Sequence, residues 1–169
     1  MGQFQRRTFS MIKLKDRQMN FYQFKREQFF EHPIEDLWGF ISNPNNLNKI
    51  TPDMGFEITS DSVNRMYEGM IISYKVSPLF GIKTTWVTEI THLIPVQYFV
   101  DEQRIGPFKL WHHQHFLESK NRGTLMTDIV TYKIPLGILG YIANRIIVKR
   151  KLKYIFDYRR NKMAEIFND

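Results

Sequence analysis

Apolar and polar residues alternate through most of the chain, and helical spacing is confined to two places. "FYQFKREQFFE", Phe21 to Glu31, alternates as a strand does, with every second side chain on the same face. Pro33 then opens a helix, because proline fits a first turn and Glu35 and Asp36 suit the positive end of the dipole. Within it Ile34, Leu37, Trp38 and Ile41 recur at helical spacing. In "SNPNNLNKITPD" Pro44 and the asparagines end that helix, and Leu47 and Ile50 anchor a second short one. From Gly55 the period changes to two, which predicts strands near 55–60, 69–77, 82–92, 96–104, 108–118 and 123–133 in an antiparallel meander. "SKNRG", Ser119 to Gly123, reads as a hairpin turn.

After Pro135 the spacing is helical again, with Gly137 and Gly140 near its start. Ile142, Ala143, Ile146 and Ile147 form one stripe; Leu152, Ile155, Phe156, Met163, Ile166 and Phe167 form a second, about 150° away at ~100° per residue. A bend around Val148 to Lys151 lets both segments bury their apolar faces. The fold class this order predicts is α+β.

Composition narrows the class. At 43% hydrophobic and 15% aromatic, 169 residues fill the core of one domain. The 14 Phe, 8 Tyr, 8 Met and 3 Trp suit either a well-filled core or a cavity with adaptable apolar walls. The absence of cysteine excludes disulfides and thiolate metal sites and fits a reducing compartment, so a cytoplasmic location is expected. The net charge of +7 divides as +6 over residues 1–26, −4 over 27–138 and +5 over 139–169. The basic charge thus sits at the ends, which does not suit a nucleic-acid groove and leaves a weak contact with anionic membranes as one role for those ends. Residues 1–19 read as a basic tail or arm, with Met11 or Met19 as alternative starts, ahead of one domain over 20–169. The sequence shows neither a signal-peptide order nor an apolar run approaching the ~20 residues of a membrane span.

The candidate chemistry centres on "KLWHHQHFLE", residues 109–118. On a strand, Trp111, His113 and His115 face one way, with Lys109 near the strand end, while His112 and Gln114 face the other. By the same alternation Phe99, Asp101 and Gln103 share a face, as do Met126, Asp128, Val130 and Tyr132, while Glu102 and Arg104 suit solvent. Three readings compete. His113 and His115 with Asp101 or Asp128 make a two-His, one-carboxylate metal set. A neutral His beside either Asp makes an acid/base pair. Buried His and Asp also simply satisfy each other and fix strand register. Without an HExxH, a cysteine or an acid at near spacing, no metal is assigned. "RIGPFK", 104–109, is a cavity-rim loop or a plain hairpin turn. Trp38 and Trp86 are cavity walls or core, Phe156 and Met163 face the sheet, and Arg159 reaches an anionic ligand head or a surface ion pair. No GxSxG elbow, P-loop or dinucleotide glycine motif occurs.

Three stretches, "LWGFISNPNNLNKITPDMGFEI", "YFVDEQRIGPFKLWHHQHFLE" and "GTLMTDIVTYKIPLGILG", resemble the SRPBCC superfamily, which includes START lipid-transfer domains, birch-pollen-allergen-like proteins and polyketide cyclases. The likeness is greatest to its small bacterial ligand-binding members and covers roughly residues 20–169. It implies a helix-grip fold, a curved antiparallel sheet of about seven strands wrapped around a long C-terminal helix, with two short helices after the first strand. It also implies a small hydrophobic or amphipathic molecule, lipid-like or polyketide-like, as the partner, held between sheet and helix. The residues then expected to contact it are Trp86, Phe99, Asp101, Gln103, Trp111, His113, His115, Met126, Asp128, Tyr132, Phe156 and Arg159. Binding without catalysis is the leading expectation. The alternative is a cyclase or dehydratase, with His113, His115 and Asp128 as catalytic candidates. No cofactor and no nucleic acid are expected, and a monomer or a homodimer fits equally.

Overall fold

The computed structural model describes residues 10–13, 21–60, 64–77, 82–135, 140 and 144–167. Its strands are β1 (Ser10–Lys13), β2 (Tyr22–Phe30), β3 (Glu57–Ile58), β4 (Ile71–Val76), β5 (Thr84–Ile94), β6 (Tyr98–Ile105), β7 (Leu110–Lys120) and β8 (Gly123–Lys133). They form one sheet in the order β1-β2-β8-β7-β6-β5-β4-β3, every neighbour antiparallel. The first long strand therefore crosses over to pair with the last. Helix α1 (Ile34–Ile41) and a 3-10 helix (Pro44–Ile50) fill the connection between β2 and β3, and α2 (Lys149–Phe167) closes the chain.

Among the described residues the sheet holds the expected seven or so strands, β2 to β8, and one more. The additional strand is β1, drawn from the basic segment, which adds an edge to β2. The strand expected at 55–60 shrinks to Glu57–Ile58, because Thr59 and Ser60 both direct their N–H groups at the Ser73 carbonyl and the ladder ends there. In the β7–β8 hairpin Lys120 pairs with Gly123 and Asn121 takes φ 57°, a left-handed conformation that asparagine tolerates. A Cβ at Gly123 would run into the Phe30 carbonyl, so glycine is what lets β8 start against the end of β2.

The change of phase in the C-terminal apolar stripe has a structural counterpart. A π-type turn, Asn144–Val148, leads into α2; its wider turn rotates the apolar face, so the bend precedes Lys149. Ile142, Ala143 and Gly137 lie outside the described residues. Leu152, Phe156, Met163 and Phe167 of α2 are buried, but Ile166 is 42% exposed, contrary to its place in the expected stripe. It sits ~100° around the helix from Phe167, which takes the buried position instead. Arg26 ties α2 to β2: it donates to Asp157 Oδ1 at 2.7 Å and to the Phe156 carbonyl at 3.3 Å.

Two apolar clusters fill the space between sheet and helices. One gathers Phe30, Leu37, Trp38, Ile41, Met163 and Phe167 around α1 and the end of α2. The other gathers Phe24, Trp86, Phe108, Tyr132, Leu152 and Phe156 around the start of α2. Asn43 fixes the 3-10 helix beside them: its Oδ1 accepts from the Asn45 backbone N–H at 3.0 Å and from Asn45 Nδ2 at 3.1 Å. Asn43→Ala is expected to cost about 1 kcal/mol, which thermal denaturation would register as a fall in Tm of about 2–4 °C.

Candidate functional site

Between the sheet, the 3-10 helix and α2 lies a cavity of about 160 Å³. Its apolar walls include Leu47 and Ile50 from the 3-10 helix, Ile72 and Val76 from β4, Ile90 from β5 and Ile155 from α2. Period-two alternation delivers the rest. Tyr74 stands between Ile72 and Val76, and Thr88 between Trp86 and Ile90, all on the same inward faces. Trp86 Nε1 donates to Thr88 Oγ1 at 3.1 Å, and the Tyr74 hydroxyl lies 3.2 Å from the same oxygen. Sequence reasoning missed Tyr74 and Thr88, although counting by two from Trp86 and along "IISYKV" reaches both.

Nine of the residues expected at the ligand line this cavity: Trp86, Phe99, Asp101, Trp111, His113, His115, Met126, Phe156 and Arg159. Three do not. Gln103 instead grips its own hairpin, donating to the Phe108 carbonyl at 2.7 Å and accepting from the Phe108 N–H at 3.2 Å. That makes "RIGPFK" a tied turn. Tyr132 is fully buried in the second apolar cluster, edge-on to Phe108. Asp128 is buried behind the histidines rather than at the wall. Trp38 is core too, edge-on to Phe99. Lys109 is exposed.

The polar group is built by register. β7 places His113 opposite Asp101 of β6 and opposite Val130 of β8, and His115 opposite Phe99 of β6 and Asp128 of β8. Both rings therefore fall between the two carboxylates. His113 Nδ1 lies 3.2 Å from Asp101 Oδ2 and its Nε2 3.2 Å from Asp128 Oδ1. His115 Nε2 lies 2.9 Å from Asp101 Oδ2. His115 Nδ1 lies 2.8 Å from Asp128 Oδ1 but off the hydrogen-bonding direction, so this buried nitrogen has no aligned partner. The imidazole centroids are 3.8 Å apart, with Phe99 stacked on His115 at 4.1 Å and Phe156 edge-on to His113 at 5.6 Å. The four ionisable groups thus occupy the seam between the apolar clusters. His112, on the outer face, instead meets Glu102 at 2.7 Å, and Glu102 and Glu89 both bind Arg104.

Electrostatics follow from this packing. Burial alone would raise the Asp101 and Asp128 carboxyls, but the His113 and His115 imidazoles hold both well below the ordinary carboxylate range. Burial works against a charged His115, yet the two carboxylates against it raise its pKa above the ordinary histidine value. Burial, reinforced by the Asp101 charge, pushes the Tyr74 hydroxyl up, while Thr88 and Arg159 pull it the other way. Arg159 lies along the Phe156 ring, its Cζ 5.2 Å from the centroid, and its buried Nε has no partner.

Solved structures with the same architecture define the fold. Protein Ms6760 from Mycobacterium smegmatis superposes with a TM-score of 0.61 at 15% identity, over 93% of this chain and 99% of that one. Protein TTHA0849 from Thermus thermophilus gives 0.64 at 13% identity, over 85% and 98%. Ginseng major latex-like protein 151 from Panax ginseng gives 0.62 at 12% identity, over 87% and 97%. The helix-grip expectation therefore holds for the sheet, the short helices and the terminal helix. The chain belongs to the polyketide cyclase/dehydrase and lipid transport family, whose sequence profile matches residues 30–154. No curated protein sequence matches it significantly. Among the described residues no helix is long and apolar enough to cross a membrane.

Proposed function

We propose that this protein binds a small amphipathic molecule, its apolar body in the cavity and its polar or anionic end at Arg159 and the histidine–aspartate group. The observation that carries this is the union of apolar walls with a buried donor: Arg159 lines the cavity, and its buried Nε has no hydrogen-bond partner. A ligand acceptor there supplies the missing bond, and apolar area supplies affinity. A cavity of about 160 Å³ is close to the ~150 Å³ known to hold a benzene molecule. The resting cavity thus takes about one ring or a short acyl segment. Longer ligands need Met54, Met66 and Met126 to swing aside, which flexible thioether side chains do readily.

Two variants test the reading with anilinonaphthalene sulfonate, an apolar body bearing an anion, and with a neutral naphthylamine. Leu47→Trp, which fills the cavity, is expected to weaken both probes at least ~10-fold while circular dichroism stays unchanged. Arg159→Gln is expected to weaken the anionic probe alone. Equal binding by wild type and Leu47→Trp would place the probes elsewhere and sink the proposal.

A cyclase or dehydratase activity has one observation in its favour. Asp128 stands against His113 Nε2 while His113 Nδ1 is on the side of Asp101 and the cavity, as a general base and its orienting carboxylate would stand. Under that reading His113→Ala lowers turnover of a polyketide-like substrate ~10²-fold or more. Under the binding reading the same change shifts affinity modestly.

A further inference from the structure

We propose that His113, His115 and Asp101 form a binding site for a divalent first-row transition-metal ion, with Asp128 behind them as the carboxylate that orients both imidazoles. The inference does not depend on the ligand proposed above.

The geometry has two sides. On the cavity side, His113 Nδ1 and His115 Nε2 converge on Asp101 Oδ2 at 3.2 and 2.9 Å. One ligand atom from each of the three residues lies within 4.8 Å of the other two. Donors bound at about 2.0–2.2 Å around one tetrahedral or octahedral ion stand roughly 3.0–3.5 Å from each other, so the two contacts to Asp101 already have nearly the spacing an ion requires. On the far side, the second nitrogen of each ring, His113 Nε2 and His115 Nδ1, meets the single oxygen Asp128 Oδ1 at 3.2 and 2.8 Å. A metal-bound histidine almost always gives its remaining N–H to a carboxylate, carbonyl or water, and here one buried carboxylate serves two rings.

With both rings neutral, as metal ligation requires, the protein alone leaves this set of contacts short of protons. Carboxylates only accept, so four nitrogen–oxygen contacts need four N–H groups, and two neutral imidazoles supply two. If both protons face Asp128, the lone pairs of His113 Nδ1 and His115 Nε2 point at an oxygen that also offers only lone pairs. A cation resolves that convergence. It also gives the partnerless His115 Nδ1 a proton to donate to Asp128, after a small ring rotation. With the rings neutral for ligation, Asp101, Asp128 and Arg159 sum to one negative charge beside the cavity, and a divalent ion reverses it. The nitrogen and carboxylate donors, without sulfur, suit zinc, cobalt(II) or iron(II). Three protein ligands leave coordination positions open toward the cavity, where the polar end of a bound molecule or a water would complete the sphere.

The test uses the full, untagged chain, stripped with chelator and titrated with Zn²⁺ by calorimetry and with Co²⁺ by visible absorption. One ion per chain is expected, with cobalt d–d bands of a four- or five-coordinate site. His113→Ala, His115→Ala and Asp101→Asn are each expected to weaken binding at least 100-fold. Asp128→Asn is expected to weaken it 10- to 100-fold, as loss of an orienting partner does. Glu102→Gln on the outer face should leave it unchanged. Should a ligand variant fail to fold, proton NMR of the wild type with Co²⁺ gives an independent answer, because two histidine rings should shift strongly and the other three should not. No saturable binding by folded wild type, or undiminished binding in Asp101→Asn, overturns the proposal. Loss of probe binding with metal binding intact would overturn only the ligand reading.

Discussion

Replacing Asp128 with alanine is expected to destabilise the protein by about 3–5 kcal/mol at neutral pH, the cost of stripping one partner from a buried ion pair. Asp128 is 6% exposed, His113 4% and His115 6%, so no solvent is at hand to replace the lost carboxylate. Both rings would lose the group against their inner nitrogens, and Asp101 alone would face them. Urea denaturation in the presence of chelator measures the effect. A loss under ~1 kcal/mol would mean that the rings rearrange to other acceptors and that the register of β7 against β8 does not rely on this contact. Asp128→Ala and His113→Ala should not add: residues in one ion-pair network couple by about 0.5–3 kcal/mol.

The metal-free protein is also expected to be more stable at pH 5 than at pH 8. His115 is raised above its ordinary 6.5, so the stability it contributes is complete below that value and is lost as pH rises through its folded pKa. Asp101 and Asp128 are lowered from 3.8, so theirs is present above that value and fades as pH falls toward their depressed folded pKa values. The two windows overlap between about 4 and 6.5, which is where the maximum should lie. The groups around His115 that bear on this are Asp101 on β6, His113 on β7 and Asp128 on β8, with Tyr74 and Arg159 lining the same cavity. Urea midpoints measured from pH 4 to 9 check the sign. A midpoint that rises steadily from pH 5 to 8 would show that His115 is neutral in the folded state.

Much of this was legible because the chemistry rides on strands. Alternation alone puts Trp111, His113 and His115 on one face and Met126 and Asp128 on one face, whatever the exact register. The pairing of His115 with Asp128 and of His113 with Asp101 needed the register itself, which hairpin lengths and the tied turn at Gly106–Lys109 set. Gln103 shows the limit of alternation: it shares a strand with Asp101, but two residues on the chain is turning, and the nearest unsatisfied groups are the N–H and carbonyl of Phe108. Tyr132 and Ile166 show another limit, since burial in core, wall or solvent is decided by what packs opposite. No pattern in "SMIK" announced an edge strand, because two polar and two apolar residues carry too little period to read.

The pocket draws its two kinds of surface from different parts of the chain. His113, His115 and Asp101 come from β6 and β7, mid-sheet strands paired on both edges, with Asp128 behind them on β8. Leu47, Ile50, Met54 and Phe56, by contrast, come from the 3-10 helix and the segment after it, with Ile72 and Val76 from the next-to-edge strand β4. Insertions, deletions and substitutions are tolerated far better in that second region than in the middle of a sheet. Remodelling residues 44–56 would therefore reshape the apolar wall without disturbing the strands that hold the charged cluster. An engineer seeking a new cargo would randomise the same short segment and leave the strands alone.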